Sequence, residues 1–487
     1  MNMHGCIRNK QIGIRMKQVW RGLMRKYLHL LVIILIFLTG CLKDNNQYVT
    51  KFVPIGVPQG NETKYELDLK MDSEGLFKIN AKINIKNTSQ EEWNSLVFYF
   101  IPNMFTNKNS ANVTSTSTVD IKSVNVNNRN INYSLKEDNL SISLREKLKP
   151  NDTVKVNISY SLTLPEEGFR FTKYGSNYHL AQWYPMVPTY RNGWNKEIYQ
   201  FKGESYHTPF SDFELTYEVP SGYTVVTSSG DDPFPSENHK KISINKAKEL
   251  FVAILKKPLM EEYVSGDLSI RIFSSNKNKE QVKNILKIAR EATKYFEENI
   301  GDYPHNQLDI VIEGVGMEYP GIITIGAIEG SHPLGLKQLE QMVVHEIAHQ
   351  WFYGVVSNDP FHDPWIDEGI TNMATSIFLY RDKTPADLQK MRDTFSKYPL
   401  PVDLSLNEYG KRYNTYVYGK ASAMLESTLI DIKGEDGPIK FLSTYYSLYS
   451  YKEVNTKEIL RFMKYYLKLK DNSAFDKWVS NKYLNYK

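Results

Sequence analysis

The sequence predicts an α+β protein of several domains: an N-terminal all-β domain of sandwich or saddle type, followed by a mixed α/β domain that ends in helices. Three observations lead to this prediction. The chain has 487 residues and 41% hydrophobic side chains, enough for two or three cores. Apolar residues alternate with period two between about residues 61 and 260. From about residue 261 onward they recur mainly at helical spacing.

Residues 1–40 are predicted to be a targeting segment outside the fold. Seven Lys or Arg and no Asp or Glu precede an apolar run of eleven residues, Leu28 to Leu38, which is interrupted only by His29. This run is short for a bilayer span and fits a signal-peptide core; an uncleaved anchor is the alternative. The run ends in Leu-Thr-Gly-Cys41, which resembles the bacterial lipobox. That resemblance implies a lipid on Cys41, now the first residue of the mature protein.

Cleavage of this segment would change the charge of the protein. Removing seven of the 60 Lys and Arg leaves 53 against 55 Asp and Glu, a net charge of −2, so the basic character supports no nucleic-acid partner. Residues 41–60 are polar and predict a tether between the lipid and the first domain. The protein is expected at the membrane, on its extracytoplasmic face. Cys6 and Cys41 are the only cysteines, so cysteine ligands and nucleophiles are excluded from the mature domains.

The predicted β domain spans residues 61–260, and its strands are clearest at 78–85, 154–164, 213–219 and 223–227. The second domain, 261–487, opens with strands at 268–273 and 308–312 around a helix at 279–300. A short strand that begins at Pro320 and runs to Ile325 is predicted at the sheet edge, where proline is tolerated. Further helices are expected at about 385–396, 421–433, 438–448, 456–469 and 474–483.

The chemistry is predicted around His345-Glu346-Ile347-Ala348-His349, an H-E-x-x-H pentad. Apolar spacing predicts a helix from Gln338 to Tyr353, and residues four apart on a helix share one face. His345 and His349 can therefore bind one zinc ion together. Glu346 can reach a water at that ion without binding the metal, which is the place of a general base.

A catalytic zinc site needs a third protein ligand, and Glu368 is the candidate. Asp363 and Pro364 predict the start of a second helix, from about Trp365 to Tyr380, with Glu368 near its beginning. Packed antiparallel on the first helix, it would bring Glu368 to the metal. Asp363 and Asp367 are candidate acceptors for the free ring N–H of a ligand histidine. We therefore expect one Zn²⁺ per chain.

Here the sequence resembles a known family. HEIAHQWF, followed by Trp365-Ile366-Asp367-Glu368-Gly369, is similar to the aminopeptidase N family of gluzincin zinc metallopeptidases, which includes the leukotriene hydrolase. Eighteen residues separate the second histidine from the glutamate, as in that family. The resemblance implies a thermolysin-like catalytic domain, peptide substrates and hydrolysis at a free amino terminus.

The resemblance also implies three further site residues. The family motif G-x-M-E-N is similar to the stretch from Val315 to Tyr319, so Glu318 would hold the substrate's α-amino group. The family motif Y-x-K-G is similar to 418–421, so Tyr418 would stabilise the oxyanion, with Tyr416 as the alternative. A glutamine at the end of a β-domain segment reaches the substrate in this family, which implies that role for Gln182.

Two alternatives to an aminopeptidase stay open from the sequence. Tyr319 replaces the family's asparagine, and only about 70 residues follow Tyr418, so we expect the helical cover of large members to be missing. An open site of this kind would suit an endopeptidase or another hydrolase. The second alternative is a peptide-binding lipoprotein with a vestigial site, which would take up no stoichiometric zinc.

Overall fold

Long amphipathic strands form the N-terminal half of the protein. β1 (Asn61–Met71) and β2 (Phe77–Asn87) each bury every second residue and pair antiparallel along their full lengths. Leu67 and Ile83 are among the side chains on the buried face, whereas lysines and glutamates occupy the other face. The period-two pattern of the sequence therefore predicted both the strands and the face that they bury.

The computed structural model describes residues 52–107, 113–230, 232–275, 279–326, 334–380 and 384–484. The predicted signal peptide, Cys41 and most of the tether lie outside the described residues. From Pro54 onward the chain forms one compact unit. Within the described ranges, no helix has the length and apolar character needed to cross a membrane.

Twelve further strands complete the β region: β3 (Trp93–Tyr99), β4 (Val119–Val126), β5 (Arg129–Asn130), β6 (Ser134–Lys136), β7 (Asn139–Leu148), β8 (Thr153–Leu162), β9 (Phe171–Tyr174), β10 (Asn177–Leu180), β11 (Ser211–Glu218), β12 (Tyr223–Thr227), β13 (His239–Ala247) and β14 (Val252–Lys256). They form a seven-stranded sheet ordered β13-β11-β1-β2-β8-β4-β5, a four-stranded sheet β12-β14-β10-β9 and a three-stranded sheet β3-β7-β6. All pairs are antiparallel except β1 with β11. The predicted all-β character of this region is confirmed.

A mixed sheet begins the second half, in the order β15-β16-β17-β18, from β15 (Leu259–Ser265), β16 (Leu268–Ser274), β17 (Gln307–Ile312) and β18 (Ile322–Thr324). The sequence did not predict β15, which pairs antiparallel with β16. As predicted for the strand after Pro320, β18 is the last strand of this sheet among the described residues. It pairs with β17, and its Thr324 also forms an isolated antiparallel bridge with Met317. The domain boundary at 260/261 stays a prediction.

Helices supply the rest of this half: α1 (Lys279–Asn299), α2 (Leu336–Ala348), α3 (Trp365–Leu379), α4 (Pro385–Ser396), α5 (Ala421–Lys433), α6 (Gly437–Tyr449), α7 (Thr456–Leu467) and α8 (Asn481–Leu484). A two-stranded sheet, β19 (Val356–Ser357) with β20 (Lys452–Glu453), joins the segment after α2 to the segment before α7. The α+β fold that ends in helices is as predicted.

Two helix predictions are wrong in extent. The helix predicted at 338–353 ends at Ala348, because the N–H groups of Gln350 and Trp351 turn back to carbonyls three residues earlier. The Trp351 indole donates to the Gly301 carbonyl at 2.8 Å, and this long-range contact directs the chain out of the helix. The helix predicted at 474–483 is instead a 3₁₀ turn, Ser473–Phe475, and α8. Between them Ser480 is bound through its N–H and hydroxyl by Asp403.

Candidate metal centre and active site

The imidazole rings of the two pentad histidines come together at the end of α2. The His345 and His349 Nε2 atoms lie 3.1 Å apart. The Nδ1 atom of His349 is 3.0 Å from the Phe352 carbonyl and 3.1 Å from the Thr371 hydroxyl, which fixes the ring orientation. Because α2 ends at Ala348, the turn after it can place the Phe352 carbonyl against this ring.

Glu368 lies in the first turn of α3 and completes the group. Its Oε2 atom is 3.2 Å from His345 Nε2 and 3.3 Å from His349 Nε2. Gly369 lets α3 pack closely against the start of α5, since a Cβ at this position would lie 2.7 Å from the Ala421 Cβ. Burial disfavours the Glu368 carboxylate, yet the two imidazoles more than offset it and hold the pKa of this carboxyl below its usual range.

These three atoms fit a zinc ion. Nitrogen and oxygen ligands at about 2.0–2.1 Å in a tetrahedral arrangement are separated by about 3.3 Å. The separations between His345, His349 and Glu368 are 3.1, 3.2 and 3.3 Å, and all three groups point to one centre. Two histidines and one carboxylate leave a fourth position for water or substrate, which is the donor set of a catalytic zinc site.

Glu346 lies beside this centre on α2, with its side chain buried. Burial, and then the neighbouring Glu318, raise the pKa of Glu346 well above that of a free glutamate. Gly316 lies against its carboxylate: a Cβ there would be only 2.6 Å from Glu346 Oε1. The glycine of the 315–319 motif therefore leaves room for the candidate base, a use that the family resemblance does not supply.

Glu318 is held near the metal ligands by the residue that follows the pentad. The Gln350 amide donates to the Tyr319 carbonyl at 3.1 Å, and its oxygen accepts the Gly321 N–H at 2.8 Å. Glu318 is buried, which raises the pKa of its carboxyl. Tyr319 is buried and stacks on Phe251 with ring centroids 4.0 Å apart, so its ring packs in the core.

Gln182 lies in a buried network next to this group. Its amide donates to Glu249 at 2.8 Å and to the Tyr206 hydroxyl at 3.1 Å. Tyr206 also donates to Glu204, which forms an ion pair with Arg170 at 2.9 Å. Burial first, and then Glu318, raise the pKa of Glu204 to about 7. The structure thus ties Gln182 to Glu249 and Tyr206, and its contact with substrate stays a prediction.

The structure brings Tyr418, and not Tyr416, to the metal ligands. The Tyr418 hydroxyl donates a short hydrogen bond to Glu368 Oε1, and its ring centroid is 5.7 Å from that of His345. Tyr416 is buried and stacks on Tyr409 at 5.5 Å. Both tyrosines belong to a π-helix, Thr415–Lys420, whose wider turn separates their directions.

The outer acceptors predicted for the ligand histidines are wrong for His349. Its free ring nitrogen contacts the Phe352 carbonyl and Thr371, as described above. Asp363 accepts a hydrogen bond from the Thr456 hydroxyl, and Asp367 accepts one from the Glu368 N–H at 2.9 Å. Both aspartates therefore fix the start of α3 rather than the imidazole. Thr371, three residues after Glu368 on the same helix, could have been found from that spacing.

Taken together, this fold and donor set are similar to those of the gluzincin class of zinc metallopeptidases. Residues 285–478 match the family model described as "Peptidase family M1 domain". This match covers the zinc-site helices and the helices that follow them, and the resemblance to aminopeptidase N and the leukotriene hydrolase is confirmed.

Relatives and solved structures agree with this assignment. Aminopeptidase 2 of Candida albicans is 23% identical over 227 residues, which are 40% of this chain and 24% of that protein. Leukotriene A-4 hydrolase of Xenopus laevis is 24% identical over 192 residues, 36% of this chain and 32% of that protein. The chain thus spans about a quarter to a third of these curated relatives.

The structural neighbours cover nearly the whole fold. A two-domain M1 zinc metallopeptidase, a glutamate-to-alanine mutant bound to L-arginine, aligns with a TM-score of 0.63 at 15% identity, over 89% of this chain and 96% of that one. The M1 zinc metallopeptidase of Deinococcus radiodurans gives a TM-score of 0.60 at 15% identity, over 88% and 96%. At this identity the alignment shows a shared two-domain fold.

Proposed function

We propose that this protein is a zinc-dependent aminopeptidase that removes residues from the free amino terminus of peptides. The main support is that the Nε2 atoms of His345 and His349 and the Oε2 atom of Glu368 lie 3.1 to 3.3 Å from one another. The buried carboxylate of Glu318 lies close to this group. The first arrangement suits a catalytic zinc ion. The second suits a substrate ammonium group.

The residues around the centre have distinct tasks in hydrolysis. When bound by His345, His349 and Glu368, zinc supplies a Lewis acid that polarises the scissile carbonyl and acidifies water. Glu346 takes a proton from the attacking water and gives it to the leaving amine; its raised pKa makes it a stronger base than a free glutamate. The Tyr418 hydroxyl, held at Glu368, donates to the developing oxyanion.

Glu318 would set the position of cleavage. Its carboxyl is buried close enough to Glu368 and Glu346 for their charges to interact, and burial raises the pKa of Glu318 and of Glu346, so a cation bound here would stabilise their ionised forms. Arg170 contributes one permanent positive charge to this group. A substrate ammonium would relieve the remaining repulsion, and binding it at Glu318 fixes the register of the peptide at its first residue.

The direct test compares a fluorogenic aminoacyl amide with its N-acetylated form, each with and without a chelator. We expect zinc-dependent turnover of the free amine at a rate at least about a hundredfold above the acetylated form, because acetylation removes the charge that Glu318 recognises. Equal rates would contradict the aminopeptidase proposal and favour an endopeptidase. Absence of turnover and of zinc uptake would favour a vestigial binding protein.

We further propose that the protein is a lipoprotein anchored through Cys41 on the extracytoplasmic face of a membrane. The support is the sequence alone: the basic segment, the apolar run to Leu38 and the lipobox-like ending. Membrane fractionation of Cys41→Ser tests this, with Cys6→Ser as the matched control. We expect only Cys41→Ser to move the processed protein into the soluble fraction. Retention in the membrane would favour the uncleaved anchor.

A further inference from the structure

The π-helix at Thr415–Lys420 is held in place by a side chain of α3. The Ala421 N–H donates to the Tyr416 carbonyl five residues earlier, and this hydrogen bond defines the wider turn. The Asn372 amide donates to the Tyr418 carbonyl at 3.0 Å and to the Ser422 hydroxyl at 3.3 Å. Such turns inside helices are short insertions and occur often at functional sites.

Asn372 and Glu368 lie one turn apart on α3 and therefore share a face. Glu368 accepts the hydroxyl at the tip of Tyr418, and Asn372 binds the carbonyl at its backbone. One helix thus fixes Tyr418 at both ends. The close packing allowed by Gly369 against Ala421 keeps the two elements in this register.

The opposite side of the π-helix is clamped as well. The buried Lys420 ammonium donates to the carbonyls of Tyr398 and Leu400 at 2.9 and 2.7 Å. A Cβ at Gly419 would lie 2.4 Å from the Phe395 ring, so the turn fits closely against the end of α4. The π-helix is therefore held on one side by Lys420 and the end of α4, and on the other side by the hydrogen bond from Asn372 to the Tyr418 carbonyl.

We propose that Asn372 is a positioning residue for the reaction, acting through Tyr418 by holding the carbonyl of the π-helix. This inference rests on the proposed function, because Tyr418 matters only if it donates to an oxyanion. Asn372 binds only the backbone of Tyr418 and Ser422 Oγ in these contacts, so its loss should change turnover more than substrate affinity.

A double-mutant cycle on zinc-loaded full-length protein tests the proposal. Asn372→Leu removes the donor with little change in size, and Tyr418→Phe removes the hydroxyl. We expect Asn372→Leu to lower kcat about tenfold with KM changed less than about twofold, since a small displacement of a catalytic group costs rate. We expect Tyr418→Phe to cost about a hundredfold. The double variant should equal Tyr418→Phe within about twofold.

Zinc content, melting temperature and a control variant separate this role from a structural one. Thr375→Ala, on the same helix, removes only a hydroxyl bonded within α3 and should keep wild-type kcat. If Asn372→Leu does not fold, Asn372→Asp keeps the shape and removes the donor. An equal loss from the Asn372 change with and without the Tyr418 hydroxyl, or no loss at all, would overturn the proposal. Inactive wild-type protein would instead reject the proposed function.

Discussion

Two buried clusters of charged side chains in this protein differ in how their charges are balanced. In the first, His207 lies 3.2 Å from Asp359 and 3.0 Å from Glu453, while Arg191 and His362 add further contacts to these carboxylates. Burial alone would lower the pKa of His207, but the two carboxylates raise it to about 9. Each carboxylate in this cluster has a cation within the protein, and we call it the balanced cluster.

The second cluster, which we call the acid-rich site, contains Glu204, Glu318 and Glu346 beside the metal ligand Glu368. Burial and mutual repulsion raise the pKa of the first three of these carboxyls, and Arg170 offsets only part of the charge. The difference in charge balance between the two clusters indicates which of them binds ligands. The balanced cluster joins β-region residues to Asp359, just before α3, and we expect it to contribute to stability. The acid-rich site is suited to cations from outside, a zinc ion and a substrate ammonium.

The largest expected effect is in the acid-rich site. Glu346→Gln should lower kcat/KM by about 10³ to 10⁴, because it removes the proton acceptor while His345, His349 and Glu368 remain. Steady-state kinetics with zinc analysis measures this. Glu340→Gln, on the same helix, is the matched control and should keep wild-type activity. Undiminished turnover by the Glu346 variant would show that another group is the base.

A change in the balanced cluster should act on folding instead. His207→Gln leaves Asp359 and Glu453 without their shared imidazolium, so we expect a loss of about 3–5 kcal/mol in the free energy of unfolding. Urea unfolding of the zinc-loaded protein measures it. The zinc content of the folded variant should remain one per chain. A loss below about 1 kcal/mol would mean that the cluster contributes little.

The same histidine predicts a pH dependence of stability. The pKa of His207 is raised to about 9 in the folded protein, so its contribution is complete below its unfolded pKa of about 6.5. That contribution declines as pH rises through about 9. Unfolding free energies measured from pH 6 to pH 10 should show this decline in wild type and a flatter profile in His207→Gln. Parallel profiles for the two proteins would exclude His207 as its source.

The smallest effect is expected at the edge of the balanced cluster. His362 lies 2.9 Å from Asp359, but its side chain is 44% exposed and solvent screens the pair. His362→Ala should therefore cost no more than about 1 kcal/mol. Comparing its urea midpoint with that of His207→Gln tests whether burial separates the two histidines. Equal losses would show that it does not.

The sequence predicted those features that depend on neighbouring residues along the chain. The alternating strands follow from period-two spacing, and the pentad is a motif of five consecutive residues. The bounds of α3, expected at 365–380 and found at Trp365–Leu379, follow from the start signal at 363–364. Two features were missed for different reasons. Trp351 ends α2 by reaching Gly301, a residue distant in sequence. β15 forms a tight antiparallel hairpin with β16, so it is a local feature, and its weak alternation of apolar residues did not reveal it.

In the site, too, the residues placed by local spacing were predicted and those placed by contacts with another segment were not. His345, His349 and Glu368 converge as their spacing predicted. Neither Gln350 nor Asn372 was anticipated, because each binds backbone groups of another segment: Gln350 at Tyr319 and Asn372 at the π-helix. The spacing of neighbouring residues does not show which distant backbone carbonyl a side-chain amide will bind. The π-helix itself was not expected, because it is defined by backbone hydrogen bonds to the carbonyl five residues earlier, which no side-chain pattern of the sequence indicated.

The most direct test of the acid-rich site is the ratio of kcat/KM for a free-amine substrate to that for its N-acetylated form, measured in wild type and in Glu318→Gln. Glu318→Gln keeps the size of the side chain and removes its charge. We predict a ratio of about a hundred or more in wild type and a ratio near one in the variant, with zinc retained. A large ratio that survives Glu318→Gln would contradict the claim that this carboxylate recognises the substrate's ammonium group.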